Sequence, residues 1–274
     1  MRLRKASVLA APLLALALTA TACGGGGGDE GDGDGITIGI KFDQPGIGLR
    51  DANSEFSGFD VDVATYIAGE LGYEPGQITW EEAPSADREN MLRRGDVDMI
   101  VASYSITPER AEQVAFAGPY FLAHQDLLIS SDAETPTEES IGDLTLCSVG
   151  GSTSAQRMED EYGANLQNFQ TYSECLDGIV GGSLDALTTD DAILAGYAAQ
   201  DEYAGELTLA GLNLSDEYYG VGLPLDSDRV DAVNEAITRM VDDGSWDRFV
   251  EENFGSSGYE PEPAPAIGSA PTTE

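Results

Sequence analysis

From Ile36 onward the chain alternates between short apolar runs and longer stretches in which apolar positions recur every three or four residues. Ile36 to Lys41 (ITIGIK) reads as a β-strand, and the Gly/Pro-containing segment Phe42 to Arg50 as a loop. Between Gly58 and Gly72, residues Phe59, Val63, Tyr66, Ile67 and Leu71 fall on one helical face, and a glycine closes the pattern. Ile78 to Trp80 predicts a second strand, and Pro84 to Arg94 a helix stopping at Gly95. Val97, Met99, Ile100 and Val101 form a third, buried strand. Thr107 followed by Pro108 is an N-cap with proline at the first helical position, so a helix is predicted to start there. The alternation then repeats. Gln125 to Ser130 and Leu144 to Val149 read as strands, the second running into a Gly/Ser/Thr turn at Gly150 to Ala155 and a helix. Phe169 to Ser173 and the strand Ala186 to Thr189 bracket a helix around Glu174 to Gly181. Tyr218 to Leu223 is a last strand, with helices over Ser227 to Asp242 and Ser245 to Phe254. The Pro- and Glu-rich segment after Gly255 reads as a disordered tail, 255–274.

Strands alternating with helices predict an α/β fold with mostly parallel sheets flanked by helices. Both halves end strands at Ser-, Thr- and Gly-rich crossings, and ligands of open α/β sheets sit beyond such strand ends.

Composition narrows the possible partners. The chain of 274 residues carries a formal net charge of −37, and every acidic residue lies after position 23. That field opposes nucleic acid and anionic headgroups. The only lysines are Lys5 and Lys41, so a cation predicted to be buried stands out. Arg2, Arg4 and Lys5 precede an apolar run from Val8 to Leu18 that is short for a membrane span. Residues 1–22 therefore read as a signal peptide. The sequence LTATAC ending at Cys23 resembles a bacterial lipobox, with Ala20 where leucine is usual, so Cys23 is the expected lipidation site. Residues 23–35, rich in glycine, would be a flexible tether. Cys147 and Cys175 remain; outside the cytoplasm they are most simply a disulfide, the alternative being two buried thiols. No metal or other cofactor is expected: His124 is the sole histidine and no C-x-x-C occurs. Nor is there a G-x-S-x-G elbow, a phosphate-binding loop or H-E-x-x-H.

Candidate chemistry centres on Asp96 to Tyr120. Arg110 is placed in the first turn of its helix, where a cation opposes the helix dipole. Strand, hydroxyl cluster (Ser103, Ser105, Thr107), helix start and inward arginine together describe a carboxylate site.

GFDVDVA at Gly58 to Ala64 and GDVDMIVASYSITPER followed by FAGPY at Gly95 to Tyr120 resemble the signatures of family 3 solute-binding proteins, the polar amino-acid receptors of ABC importers. The resemblance spans about Ile36 to Phe254. FDQPGIG and TTDDAILAGY are most similar to glutamate-binding lipoproteins of actinobacteria. It implies a two-lobed periplasmic-binding-protein fold of type II. Lobe 1 would comprise 36–124 and 217–254, and lobe 2 would be 125–216, with two hinge crossings. The implied partners are an amino acid and an ABC permease in the cytoplasmic membrane, for a monomer anchored to the outer face of the cell membrane. The implied grip has Arg110 and Ser105 on the α-carboxylate, a Ser103 carbonyl and Asp190 on the α-ammonium, and Ser152 and Thr153 as second-lobe contacts. Phe59 and Tyr104 would line the site, while Asp191 would cap a helix. Lys41 and Arg88, with Arg50 as a weaker candidate, align with cationic positions of aspartate- and glutamate-binding relatives. A neutral amide ligand would leave them buried and unpaired, so glutamate, or else aspartate, is expected over glutamine. A cyclohexadienyl-dehydratase-like enzyme and a sensory module are the rival readings.

Overall fold

The computed structural model describes residues 35–271; the expected signal peptide, Cys23 and nearly all of the glycine-rich tether lie outside the described residues. Strand β1 (Ile36–Ile40) opens the body. The segment expected to be a loop instead folds into a small antiparallel sheet of β2 (Asp43–Gln44), β3 (Gly48–Arg50) and β4 (Phe56–Ser57). Helix α1 (Phe59–Glu70) follows, its Phe59, Val63 and Ile67 buried. Then come β5 (Ile78–Glu82), α2 (Arg88–Arg94) and β6 (Met99–Ile100). Helix α3 (Pro108–Ala111) starts where the Thr-Pro pair predicts, with the Thr107 hydroxyl accepting from the Arg110 amide at 3.2 Å, but ends after one turn.

Strand β7 (Ala115–Ser130) is sixteen residues long and organises the fold. Only its second half is evident in the sequence, because Gly118 and Pro119, joined by a cis peptide bond, interrupt the apolar pattern of the first half. Beyond it lie β8 (Thr145–Val149), α4 (Thr153–Arg157), β9 (Asn165–Phe169) and α5 (Ser173–Val180). Strand β9 precedes the stretch expected to be extended, Phe169 to Ser173. The chain continues through β10 (Ala186–Asp190), α6 (Asp191–Ala198), β11 (Leu207–Leu209), β12 (Asp216–Leu223), α7 (Val230–Asp242) and α8 (Ser245–Phe254).

The main sheet runs β5-β1-β6-β12-β7-β10-β8-β9. Both flanks are parallel, β5-β1-β6 on one side and β10-β8-β9 on the other. The central β12 and β7 run antiparallel to their neighbours, so the sheet is mixed. Strand β7 pairs with β12 up to His124, opposite Asp216, and with β10 from Gln125, opposite Asp190. A disulfide joins Cys147 on β8 to Cys175 on α5, with a Cα separation of 5.9 Å, inside the usual range.

Within the expected tail, residues 255–271 are described and make specific contacts with the body of the fold. The Tyr259 ring meets the Phe254 ring edge-on at 5.5 Å, the Gly268 amide donates to the Gly118 carbonyl at 2.9 Å, and Ala270 is buried. Among the described residues, no helix is long and apolar enough to cross a membrane.

Candidate ligand-binding site

A narrow cavity lies where the two flanks of the sheet face each other. Arg88, Ser103, Ser105 and Arg110 line it from the first flank, and Ser152, Thr153 and Asp190 from the second, all expected from the sequence. Ser85, Ser154, Tyr172, Thr189 and Ile193 also line it and were not expected. Ser154 adjoins Thr153, Thr189 adjoins Asp190, and Ser85 lies three residues before Arg88, a proximity that could have marked them. Tyr172 and Ile193 carry no local signal.

The loop after β6 is held by Asp60, buried in the first turn of α1. Its carboxylate accepts from the Ser103 amide at 2.6 Å and from the Tyr120 hydroxyl at 2.7 Å. Burial pushes its pKa up to about 6. These bonds sustain a left-handed Ser103 (φ 44°), a conformation that costs free energy outside glycine. Asp60 belongs to the GFDVDVA motif but escapes notice as a site residue because its side chain supports the site from behind.

Arg110 bridges the cavity. One terminal nitrogen donates to the Ser105 carbonyl at 2.9 Å and the other to the Gly151 carbonyl, in the turn after β8, at 3.1 Å. Its Nε lies 3.5 Å from Glu89 Oε1, which also accepts from the Tyr104 hydroxyl at 2.7 Å. Arg88 is 2% exposed and, among the described residues, has no carboxylate oxygen within ion-pairing distance. Its hydrogen bond to protein there is Nε to the Ala83 carbonyl, 3.2 Å. Burial, and then the nearby Arg110 charge, lower its pKa. Tyr104 does not line the cavity; its ring lies beneath both guanidinium groups, with centroid distances of 5.1 Å to Arg88 and 5.0 Å to Arg110. The ring face offsets part of the cost of holding two cations together.

Across from these cations, Asp190 ends β10 and is 4% exposed. It accepts from the Tyr219 hydroxyl at 2.6 Å and the Ser154 hydroxyl at 3.4 Å. Burial, followed by the neighbouring Glu217 charge, pushes its carboxyl well above the usual range. A cationic partner would reverse that shift. Ser152 caps α4, accepting from the Ala155 amide at 3.0 Å, and the Thr153 hydroxyl donates to Glu217 at 2.9 Å.

Phe59, Lys41 and the weaker candidate Arg50 also sit away from the cavity lining, and Asp191, expected to cap a helix, has another role. Phe59 is packed in the aromatic core against Phe121 at 5.1 Å, Phe254 at 5.5 Å and Trp246 at 6.0 Å. Its place on the inward face of α1 turns it toward α8. Lys41 is buried but ion-paired with Asp43 at 3.1 Å, behind the Tyr172 ring at 6.0 Å. Arg50 is exposed, donating to the Ser54 hydroxyl at 2.9 Å and stacking on Phe42 and Phe56. Asp191 does not cap α6. It accepts from the His124 amide at 3.0 Å, the Ala192 amide at 2.7 Å and the Tyr259 hydroxyl at 2.9 Å.

Two guanidinium groups and one buried carboxylate are set around a cavity between two α/β halves joined through β7, the arrangement of a two-lobed solute-binding fold. The chain belongs to family 3 of the bacterial extracellular solute-binding proteins, whose family model matches residues 36–256. It is similar to the glutamate-binding protein GluB of Corynebacterium efficiens, 47% identical over 231 residues that cover 80% of this chain and 79% of the relative. The glutamine-binding protein GlnH of the ABC transporter of Bacillus subtilis is 34% identical over 221 residues, covering 79% and 80%. Among solved structures, the receptor for L-cysteine of Neisseria gonorrhoeae superposes with a TM-score of 0.77 at 28% identity, covering 84% of this chain and 95% of that one.

Proposed function

We propose that this protein captures an acidic amino acid, glutamate or else aspartate, outside the cell and delivers it to the permease of an ABC importer. Arg110 and Ser105 would take the α-carboxylate, and Asp190 the α-ammonium. Arg88 would take the side-chain carboxylate. The observation that carries the acidic assignment is Arg88, a buried guanidinium on the cavity wall without an ion-pair partner among the described residues. A buried charge left alone is costly, and a ligand carboxylate is the missing counter-charge. Lys41 plays a lesser part than its alignment implies, since Asp43 already neutralises it. The 47% identity to a glutamate-binding relative supports the same reading.

Residues 36–124 with 217–254 form one lobe in this reading, and 125–216 the other. A ligand touching both favours closure, because its contacts exist only when the lobes meet. Cys23 would carry a lipid that keeps the monomer at the outer face of the membrane. The chain acts as a receptor, not an enzyme. Calorimetry with glutamate, aspartate, glutamine and asparagine tests the assignment. Glutamate or aspartate should bind at micromolar concentration or below and the amides far more weakly. Equal affinity for glutamate and glutamine would overturn the role of Arg88, and turnover of a cyclohexadienyl acid would overturn the receptor role.

A further inference from the structure

The family model ends at residue 256, yet the chain continues as described structure to Pro271. This segment carries Pro261, Pro263 and Pro265, which stiffen an extended backbone and lower the entropy cost of laying it down. Tyr259 is its anchor. The ring packs on Phe254, and the hydroxyl donates to Asp191 Oδ1 at 2.9 Å. That same oxygen accepts from the His124 amide, at the point where β7 changes pairing partner, and from Ala192 in α6. Asp190 is the adjoining residue in the chain. Further on, Gly268 donates to the Gly118 carbonyl of β7 at 2.9 Å, and Pro271 reaches the outer mouth of the cleft beside Pro108 and Thr153.

We infer that residues 257–271 form a strap fastened across the junction of the two halves, and that Tyr259 is a positioning residue for Asp190. The hydroxyl fixes Asp191, Asp191 fixes the junction amide of β7 and the start of α6, and the start of α6 fixes where the Asp190 carboxylate points. The strap therefore acts on how long the closed site holds its ligand. This rests on the assignment of Asp190 to the ligand ammonium.

The test uses the full chain carrying Tyr259→Phe, which keeps the ring on Phe254, and a chain ended after Ser256. Two quantities are read: hydrogen exchange at the His124 and Ala192 amides, and the glutamate association and dissociation rates. Tyr259→Phe should speed exchange at both amides several-fold and raise the dissociation rate about tenfold, the scale of a hydrogen bond to a charged acceptor. The association rate should stay unchanged, and the shortened chain should show the larger effect. Wild-type exchange in both variants overturns the strap; faster exchange with wild-type dissociation overturns the positioning role. If the shortened chain does not fold, Tyr259→Phe decides alone. If the unaltered protein binds none of the four amino acids, the acidic-ligand reading and the positioning role that rests on it both fall, and exchange at the two amides decides the strap.

Discussion

Asp43 faces Lys41 with one carboxylate oxygen, at 3.1 Å, and the opposite flank of the fold with the other. Its Oδ2 accepts from the Tyr172 amide at 3.1 Å and from the Tyr197 hydroxyl at 3.2 Å. A buried lysine is thereby neutralised within its own segment while that segment is tied to α5 and α6. The division of labour among the cations follows. Lys41–Asp43 is a structural pair, and under the proposed function Arg88 is the cation left for the ligand side chain.

Arg88→Gln keeps a polar side chain but removes the charge. Glutamate affinity should fall at least tenfold while glutamine binding changes little, since a hydrogen bond to a charged group contributes about 1.5–3 kcal/mol. Competition of the two amino acids for the variant measures this, and undiminished preference for glutamate would refute the assignment.

Arg110→Ala removes the guanidinium proposed to hold the α-carboxylate. Two charge-assisted bonds correspond to a loss of about 10²- to 10⁴-fold in affinity. Its fold should survive, because the aromatic core lies elsewhere. A variant that melts near the wild-type temperature yet binds near the wild-type affinity would remove Arg110 from the site.

Closeness of the two flanks depends on glycine at two points. A Cβ on Gly196 would stand 2.0 Å from the Pro45 carbonyl oxygen, and one on Gly151 2.7 Å from the Ala86 Cα. Neither neighbour is a flexible side-chain end. Gly196→Ala should therefore disfavour the closed arrangement and weaken ligand binding on the order of tenfold or more, with α6 itself mildly favoured by alanine. X-ray scattering at saturating glutamate should show a larger radius of gyration than the wild type; identical curves would rule out this contact as a closure surface.

The Asp190 carboxyl is raised by burial and by Glu217, with Asp191 adding to the effect. The sign follows from linkage. A raised carboxyl favours the folded, ligand-free protein below its ordinary range, and that contribution is lost as pH rises through the raised value. An ammonium ligand requires the ionised form, so binding releases a proton below that raised value and affinity strengthens as pH climbs through it. Calorimetry at pH 6 in two buffers of different ionisation enthalpy should give different apparent heats, and equal heats would contradict the Asp190–ammonium contact.

Much of the fold is legible locally. Apolar runs mark β1, β8 and β10, and Thr107-Pro108 marks α3, because strand burial and helix capping act through adjacent residues. Arg110 is legible for the same reason: it violates a rule of its own helix. The environments of Lys41 and Phe59 are not legible this way, because both depend on how the chain folds beyond their own elements. Asp43 claims Lys41 only once the small β2–β4 sheet forms, and Phe59 turns to the core because α8 supplies Trp246 and Phe254 almost two hundred residues later. The first half of β7 is hidden by Gly118 and Pro119, and the strap by a composition that reads as disorder. Its order rests on a few anchors, Tyr259 and Gly268 foremost, and no periodicity announces them.

Strand β7 passes without interruption from one flank to the other. Motion between the flanks must then be absorbed as torsion of one hydrogen-bonded ribbon, whose resistance rises with the angle turned. The point where that torsion falls is His124 and Gln125, where the pairing of β7 passes from β12 to β10, so a single strand sets the axis about which one flank can turn against the other.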